Sequence, residues 1–87
     1  MKFKDLKTGT ILKLKKDISL YSPNRPDENT YFIALAGERI VFVKFLPKRM
    51  FVGETDFLFL RLNNFCFYSS PFFNEKWLID FFEIVFP

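Results

Sequence analysis

The sequence predicts a small all-β domain: a barrel of five to six antiparallel strands with one short helical turn near the C-terminus. Three observations lead there. Apolar and polar residues alternate over Leu12–Lys15 and again over Ile18–Leu20, the period of a strand with one buried face. Runs rich in β-branched and aromatic residues, "TYFIAL", "RIVFVKFL" and "DFLFLRLNNFCFYSS", recur between turn residues, as short strands do. Helix signals are confined to one stretch late in the chain.

The elements follow in order. Thr8-Gly9 is a turn signal, after which Leu12 and Leu14 point one way and Lys13 and Lys15 the other. The alternation restarts with Ile18 and Leu20. "SPNRPDEN" packs two prolines and three charges into eight residues, which predicts a long exposed loop and excludes a central strand. Thr30 to Leu46 reads as two strands joined at Ala36–Glu38, with Gly37 supplying a permissive backbone. "MFVGETD" is assigned to a short strand and turn. A hairpin follows, with Asn63-Asn64 as its two-residue turn because Asn tolerates left-handed dihedrals. Asn74 caps a helix over about Asn74–Asp80 with Glu75 in its first turn. On that helix Trp77 and Phe81, or Leu78 and Phe82, stack at i,i+4, and "FEIVF" closes the chain as a strand.

Eighty-seven residues predict one domain, residues 1–87. A chain this short buries only about 60–65% of its unfolded surface, so its core must be dense, and 14 Phe, three Tyr and one Trp supply that density. Heavy use of Phe, Lys, Ile and Asn fits an AT-rich phage or bacterial genome. No apolar run approaches the roughly 18 residues that span a bilayer, and "MKFKDLKTG" lacks the apolar core of a signal peptide. The expectation is a cytoplasmic protein without membrane association. Residues 1–16 hold six lysines against Asp5, whereas residues 50–87 hold two basic residues against five acidic ones. If these ends meet in the fold, their charges favour pairing.

"LKTGTILKLKKDI" resembles the glycine-then-alternating-strand opening of bacterial and phage SH3-like barrels, and "WLIDFFEIV" is similar to their helical turn before the last strand. The resemblance covers most of the chain as pattern, and it implies a fold rather than an activity. An OB-like barrel, or an α+β sheet with one helix, is the alternative. Peptide-binding SH3 domains carry a groove of paired aromatics and an acidic loop. Tyr21, Asp27 and Glu28 match part of that pattern, but the sole tryptophan, Trp77, lies too late in the chain, so proline-rich peptide binding is not expected.

The chain contains no histidine, which removes the commonest general base and metal ligand and makes Ser-His and Cys-His pairs impossible. Gly9, Gly37 and Gly53 are too dispersed for a phosphate loop. One cysteine, Cys66, excludes an internal disulfide and multi-cysteine metal sites, and its place mid-strand between two Phe predicts a structural thiol that behaves as a small apolar side chain. "PDEN" and "ETD" are solvated turns. No catalytic residue, metal site or cofactor is expected, and the chain reads as a non-enzymatic binding module, an accessory or regulatory protein that self-associates as a homodimer. The alternative is nucleic-acid binding through Lys13, Lys15 and Lys16, with Lys13 and Lys15 projecting from the outer face of the first strand and Lys2, Lys4, Lys7 and Lys16 expected nearby; set against it, such lysines are a solvated strand face that blunts an edge.

The hairpin carries the sharpest question. With Asn63-Asn64 as turn, Leu60 lies opposite Phe67, Arg61 opposite Cys66 and Phe59 opposite Tyr68. One face is Leu58, Leu60, Leu62, Phe65 and Phe67, wholly apolar and assigned to the core. The other is Phe57, Phe59, Arg61, Cys66 and Tyr68. Phe59, Arg61 and Tyr68 are the candidate partner-binding residues. Three covers compete for that face: Phe72, Phe73 and Trp77 folding back over it, a second copy, or bases of a single-stranded nucleic acid.

Overall fold

The computed structural model describes residues 2–21, 32–46, 55–72 and 75–86. The predicted loop "SPNRPDEN", the start of "MFVGETD", the Asn74 cap and Phe73 lie outside the described residues. After a 3-10 turn (Phe3–Asp5) come β1 (Ile11–Leu14), β2 (Ile18–Leu20), β3 (Phe32–Ala34), β4 (Arg39–Leu46), β5 (Thr55–Arg61), β6 (Cys66–Phe72), α1 (Glu75–Phe81) and β7 (Phe82–Phe86). The domain is all-β with one short helix, as the alternation predicts. Among the described residues seven strands form, because the break at Lys15–Asp17 sends β1 and β2 into different sheets.

The strands do not close into a barrel. Five form an antiparallel sheet in the order β6, β5, β4, β1, β7, and β2 pairs with β3 separately. The edge strands β6 and β7 do not pair with each other, and both edges of β1 are taken, by β4 and by β7. The three-residue β2 therefore reaches the large sheet only at the free edge of β6. There Tyr21 and Ser69 exchange N–H···O bonds of 2.9 and 2.8 Å, and the Ser70 hydroxyl donates to the Ser19 carbonyl at 3.2 Å.

The turns are built by short-range hydrogen bonds. Gly9 takes φ 99°, in the left-handed region that favours glycine, and its N–H donates to the Phe42 carbonyl at 2.9 Å. Buried Thr10 accepts the Lys7 N–H on Oγ1 at 3.1 Å. Thr8 Oγ1 donates to the carbonyl of Val43 at 2.6 Å, the residue by which the β4–β5 register slips between Phe42 and Lys44. That slip is a bulge, and Thr8 satisfies the carbonyl it exposes. Gly37, with φ 93°, turns β3 into β4 as predicted.

The core fills the inner face of the large sheet. Leu12, Leu14, Ile40, Phe42, Phe57, Phe59 and Phe82 come from its strands. Ile18, Leu20 and Ala34 from the small sheet, Leu78 from α1 and Leu6 from the N-terminal segment cover them. Phe57 packs edge-on against Phe82 at 5.3 Å and against Phe59 at 5.1 Å, in the offset and T-shaped geometries that aromatic rings prefer. Trp77 stacks on Phe81 at 4.5 Å across one turn of α1, the i,i+4 pair expected there. The basic and acidic ends of the chain do meet: β1 pairs with β7, and Lys13 faces Glu83 in register.

Candidate functional site

The predicted cross-strand pairs of the hairpin form: Leu60 opposite Phe67, Arg61 opposite Cys66, Phe59 opposite Tyr68. The turn is longer than predicted. Leu62–Phe65 are all turn residues, closed by a Phe65 N–H bond to the Arg61 carbonyl at 2.8 Å. Asn64 holds it from outside, its carbonyl Oδ1 accepting the Cys66 N–H at 3.0 Å and its amide donating to the Tyr68 hydroxyl at 2.9 Å. The left-handed residue is Phe65, φ 56°, rather than an asparagine. Two extra turn residues, one on each strand, leave the register unchanged.

The face assignment is reversed. Phe57 and Phe59 are fully buried, while Phe67 is 54% and Phe65 74% exposed, and Leu58, Leu60 and Leu62 are half-buried. The physical reason is that the small sheet and α1 pack on the Phe57/Phe59 side. Both faces are apolar, so nothing within the hairpin itself distinguishes them. Phe59 is therefore core, not a partner contact. Cys66 is exposed at the start of β6, its Sγ 3.5 Å from the Asn64 carbonyl.

Arg61 lies on the inner face at the sheet's end, and its partners are intramolecular. Its Nε donates to Glu38 Oε1, its Nη2 to Glu38 Oε2 at 3.1 Å and to the Ile33 carbonyl at 3.3 Å. Both side chains are only 14% exposed. The bidentate geometry is that of a strong charge-assisted pair. The hydrogen bonds that Arg61 donates to Glu38 push its pKa above the ordinary value, burial pulls it down less, and Coulomb attraction to Glu38 adds to the rise. Glu38 Oε2 also accepts the Leu35 N–H at 3.2 Å, so the pair fastens the β3–β4 turn to β5. The guanidinium lies 5.8 Å from the Tyr68 ring centroid. Tyr68 in turn meets Phe32 edge-on at 5.8 Å. The second hairpin face is thus covered from within the chain. Its described cover comes from β3 and the β3–β4 turn at the Arg61 end, and from Phe82 with Trp77 behind it at the Phe57 end.

The three lysines proposed for nucleic acid do not share a surface. Lys13 is exposed on the outer sheet face, between Arg39 and Glu83. Lys15 and Lys16 lie beyond the end of β1. The Lys15 ammonium donates to the Ile79 carbonyl at 3.0 Å, and the Lys16 ammonium lies 5.3 Å from the Phe81 ring centroid. Both bend toward α1 because the strand stops at Leu14.

The outer face is the feature that sequence reasoning missed. Following the pairings across the sheet, Phe67 lies opposite Leu60, Leu60 opposite Val41, Val41 opposite Ile11, and Ile11 opposite Phe86 just past a bulge at Val85. One apolar row therefore crosses all five strands on the side away from the core. Phe67 and Phe86 are exposed, and the three residues between them are half-buried. Arg39, Lys13 and Glu83 form the next row on the same face. Alternation within each strand carried half of this signal, but the row exists only once the strand order and registers are known. Comparison with protein-family models, with curated proteins and with solved structures found no match.

Proposed function

We propose that this chain is a non-catalytic interaction module that pairs with a second copy of itself through the outer face of the five-stranded sheet. The observation that carries the reading is the row Phe67, Leu60, Val41, Ile11, Phe86. Its order of side chains is nearly palindromic in size, a phenylalanine at each end and aliphatic residues between. A two-fold axis through Val41 lays Phe67 of one copy on Phe86 of the other and Leu60 on Ile11, the self-complementarity that an isologous interface needs. Contiguous apolar surface of this kind is unusual on a monomer.

Size-exclusion chromatography with light scattering tests this at tens of micromolar. The expected species has twice the 10.4 kDa chain mass, and Leu60→Lys returns it to the monomer. A strictly monomeric wild-type chain refutes the reading. Arg39 meets its own copy across the axis, so association should hold or tighten as salt rises.

The nucleic-acid reading survives in a narrower form. Lys13 and Arg39 are exposed neighbours on β1 and β4, beside the apolar row. Binding through them would weaken steeply with salt and fall on Lys13→Glu with Arg39→Glu. Undetectable binding to single- and double-stranded DNA or RNA at about 50 mM salt removes it.

A further inference from the structure

The outer face carries free rings and free cations together. Phe67 and Phe86, exposed at the two ends of the apolar row, contact no other ring among the described residues. Across five strands at about 4.8 Å spacing they stand roughly 19 Å apart. Arg39 and Lys13 lie side by side along one margin of the row. Lys44 pairs with Leu58, shares its face and lies along the other margin. All three are exposed, and none forms an ion pair with a described residue. On this face β1 and β4 carry cations only, and Glu83 stands on the edge strand β7.

We infer that this face binds single-stranded nucleic acid, with bases stacked on Phe67 and Phe86 and phosphates along Arg39 and Lys13. Stacking needs unpaired bases, and exposed rings beside cations supply the two parts of that chemistry. Ile11, Val41 and Leu60 between the rings give the intervening bases an apolar floor. The length of the row suits a run of about four nucleotides, the lower end of the site sizes of small single-strand-binding barrels. A duplex fits less well, because a flat sheet face offers no helix or ribbon to enter a groove. The inference rests on the nucleic-acid reading above and adds the rings to it. It also sets the strand against the dimer, because the two-fold pairing covers Phe67 with Phe86 of the second copy. A strand that binds the single chain alone draws the dimer apart by mass action.

Fluorescence anisotropy of the full chain with a labelled oligothymidine of about five nucleotides at about 50 mM salt, against a duplex of the same length, tests this. Saturable binding of the single strand, about tenfold tighter than that of the duplex, is expected. Phe67→Leu and Phe86→Leu should each weaken it about tenfold, whereas Phe67→Tyr keeps the ring and retains it. Arg39→Gln should lower the slope of log affinity against log salt by about 0.7. In the same mixtures light scattering should show one chain per strand in place of the dimer. A monomeric chain that binds the strand, with the same loss on Phe67→Leu, supports the inference and refutes the dimer reading alone. Equal affinity for the duplex, binding unchanged by both leucine substitutions, or binding to a dimer that stays intact overturns the inference and leaves the reading through Lys13 and Arg39 in place. Undetectable binding of both nucleic acids removes the inference and that reading together.

Discussion

The two faces of the β5–β6 hairpin are nearly equal in composition and opposite in fate. Phe57, Phe59 and Tyr68 alternate with Leu58, Leu60 and Phe67 along the same two strands. Phe57 and Phe59 are sealed under the small sheet and α1 with Tyr68 half-buried beside them, whereas Leu58 and Leu60 are half-buried and Phe67 is exposed. Hydrophobicity alone did not decide between them. What decided was which face the rest of the chain was able to cover, and β2, β3 and α1 all connect to the same side. The comparison teaches that an apolar face is a demand for a partner, and that the fold meets only one of the two demands here.

The contrast breaks most readily at Phe59. Phe59→Ala removes a fully buried ring and should lower the unfolding free energy by about 3–5 kcal/mol in urea denaturation; a loss below about 1 kcal/mol would reverse the inner-face assignment. Next in size is Arg61→Met, which strands Glu38 partly buried without its cation and should destabilise by about 1–3 kcal/mol. Adding Glu38→Gln should recover part of that loss, the coupling a double-mutant cycle reads. The pH dependence has a definite sign. Arg61 has a raised pKa in the folded state, so its contribution is present at every pH below the ordinary guanidinium value and is lost only above it. The difference in melting temperature between wild type and Arg61→Met should therefore stay level from about pH 6 to pH 10.

Phe65→Gly sharpens the turn rather than the faces. Relieving a left-handed phenylalanine should stabilise the chain by about 1 kcal/mol, and a melting temperature that falls instead would mean the exposed ring packs on something. Smallest of all is Phe67→Ser on the outer face, expected to change unfolding of the monomer by no more than about 0.5 kcal/mol. Its effect should appear in light scattering, as loss of the dimer, and an intact dimer would move the interface off the row.

Much of the fold was legible because it rests on short-range chemistry. Leu12 and Leu14 are buried as their alternation with Lys13 requires. Gly37 turns β3 into β4, and α1 runs into β7 close to where Trp77 and Phe81 place it. Hairpin register was legible too, because the aromatic run constrains which residues pair even when the turn length is misread. The site was less so. Arg61 stood out as the lone charge among rings, but its partner Glu38 lies 23 positions away in the chain, and no spacing rule joins them. Cys66 read as a small apolar side chain between two phenylalanines and is exposed, because Phe65 belongs to the turn and Phe67 to the open face.

By itself the sequence determined an all-β chain of short strands, the position of its helix, the pairing of the hairpin and the absence of histidine-dependent chemistry. These follow from composition, from backbone preference and from the two-residue period of a strand. Only the tertiary structure decided that the strands stay open, that Phe59 is core while Phe67 is surface, and that Ile11, Val41 and Leu60 line up between two exposed phenylalanines. Strand order and the side on which cover is laid are set by contacts between residues far apart in the chain, and a one-dimensional pattern with two equally apolar faces leaves that choice undetermined.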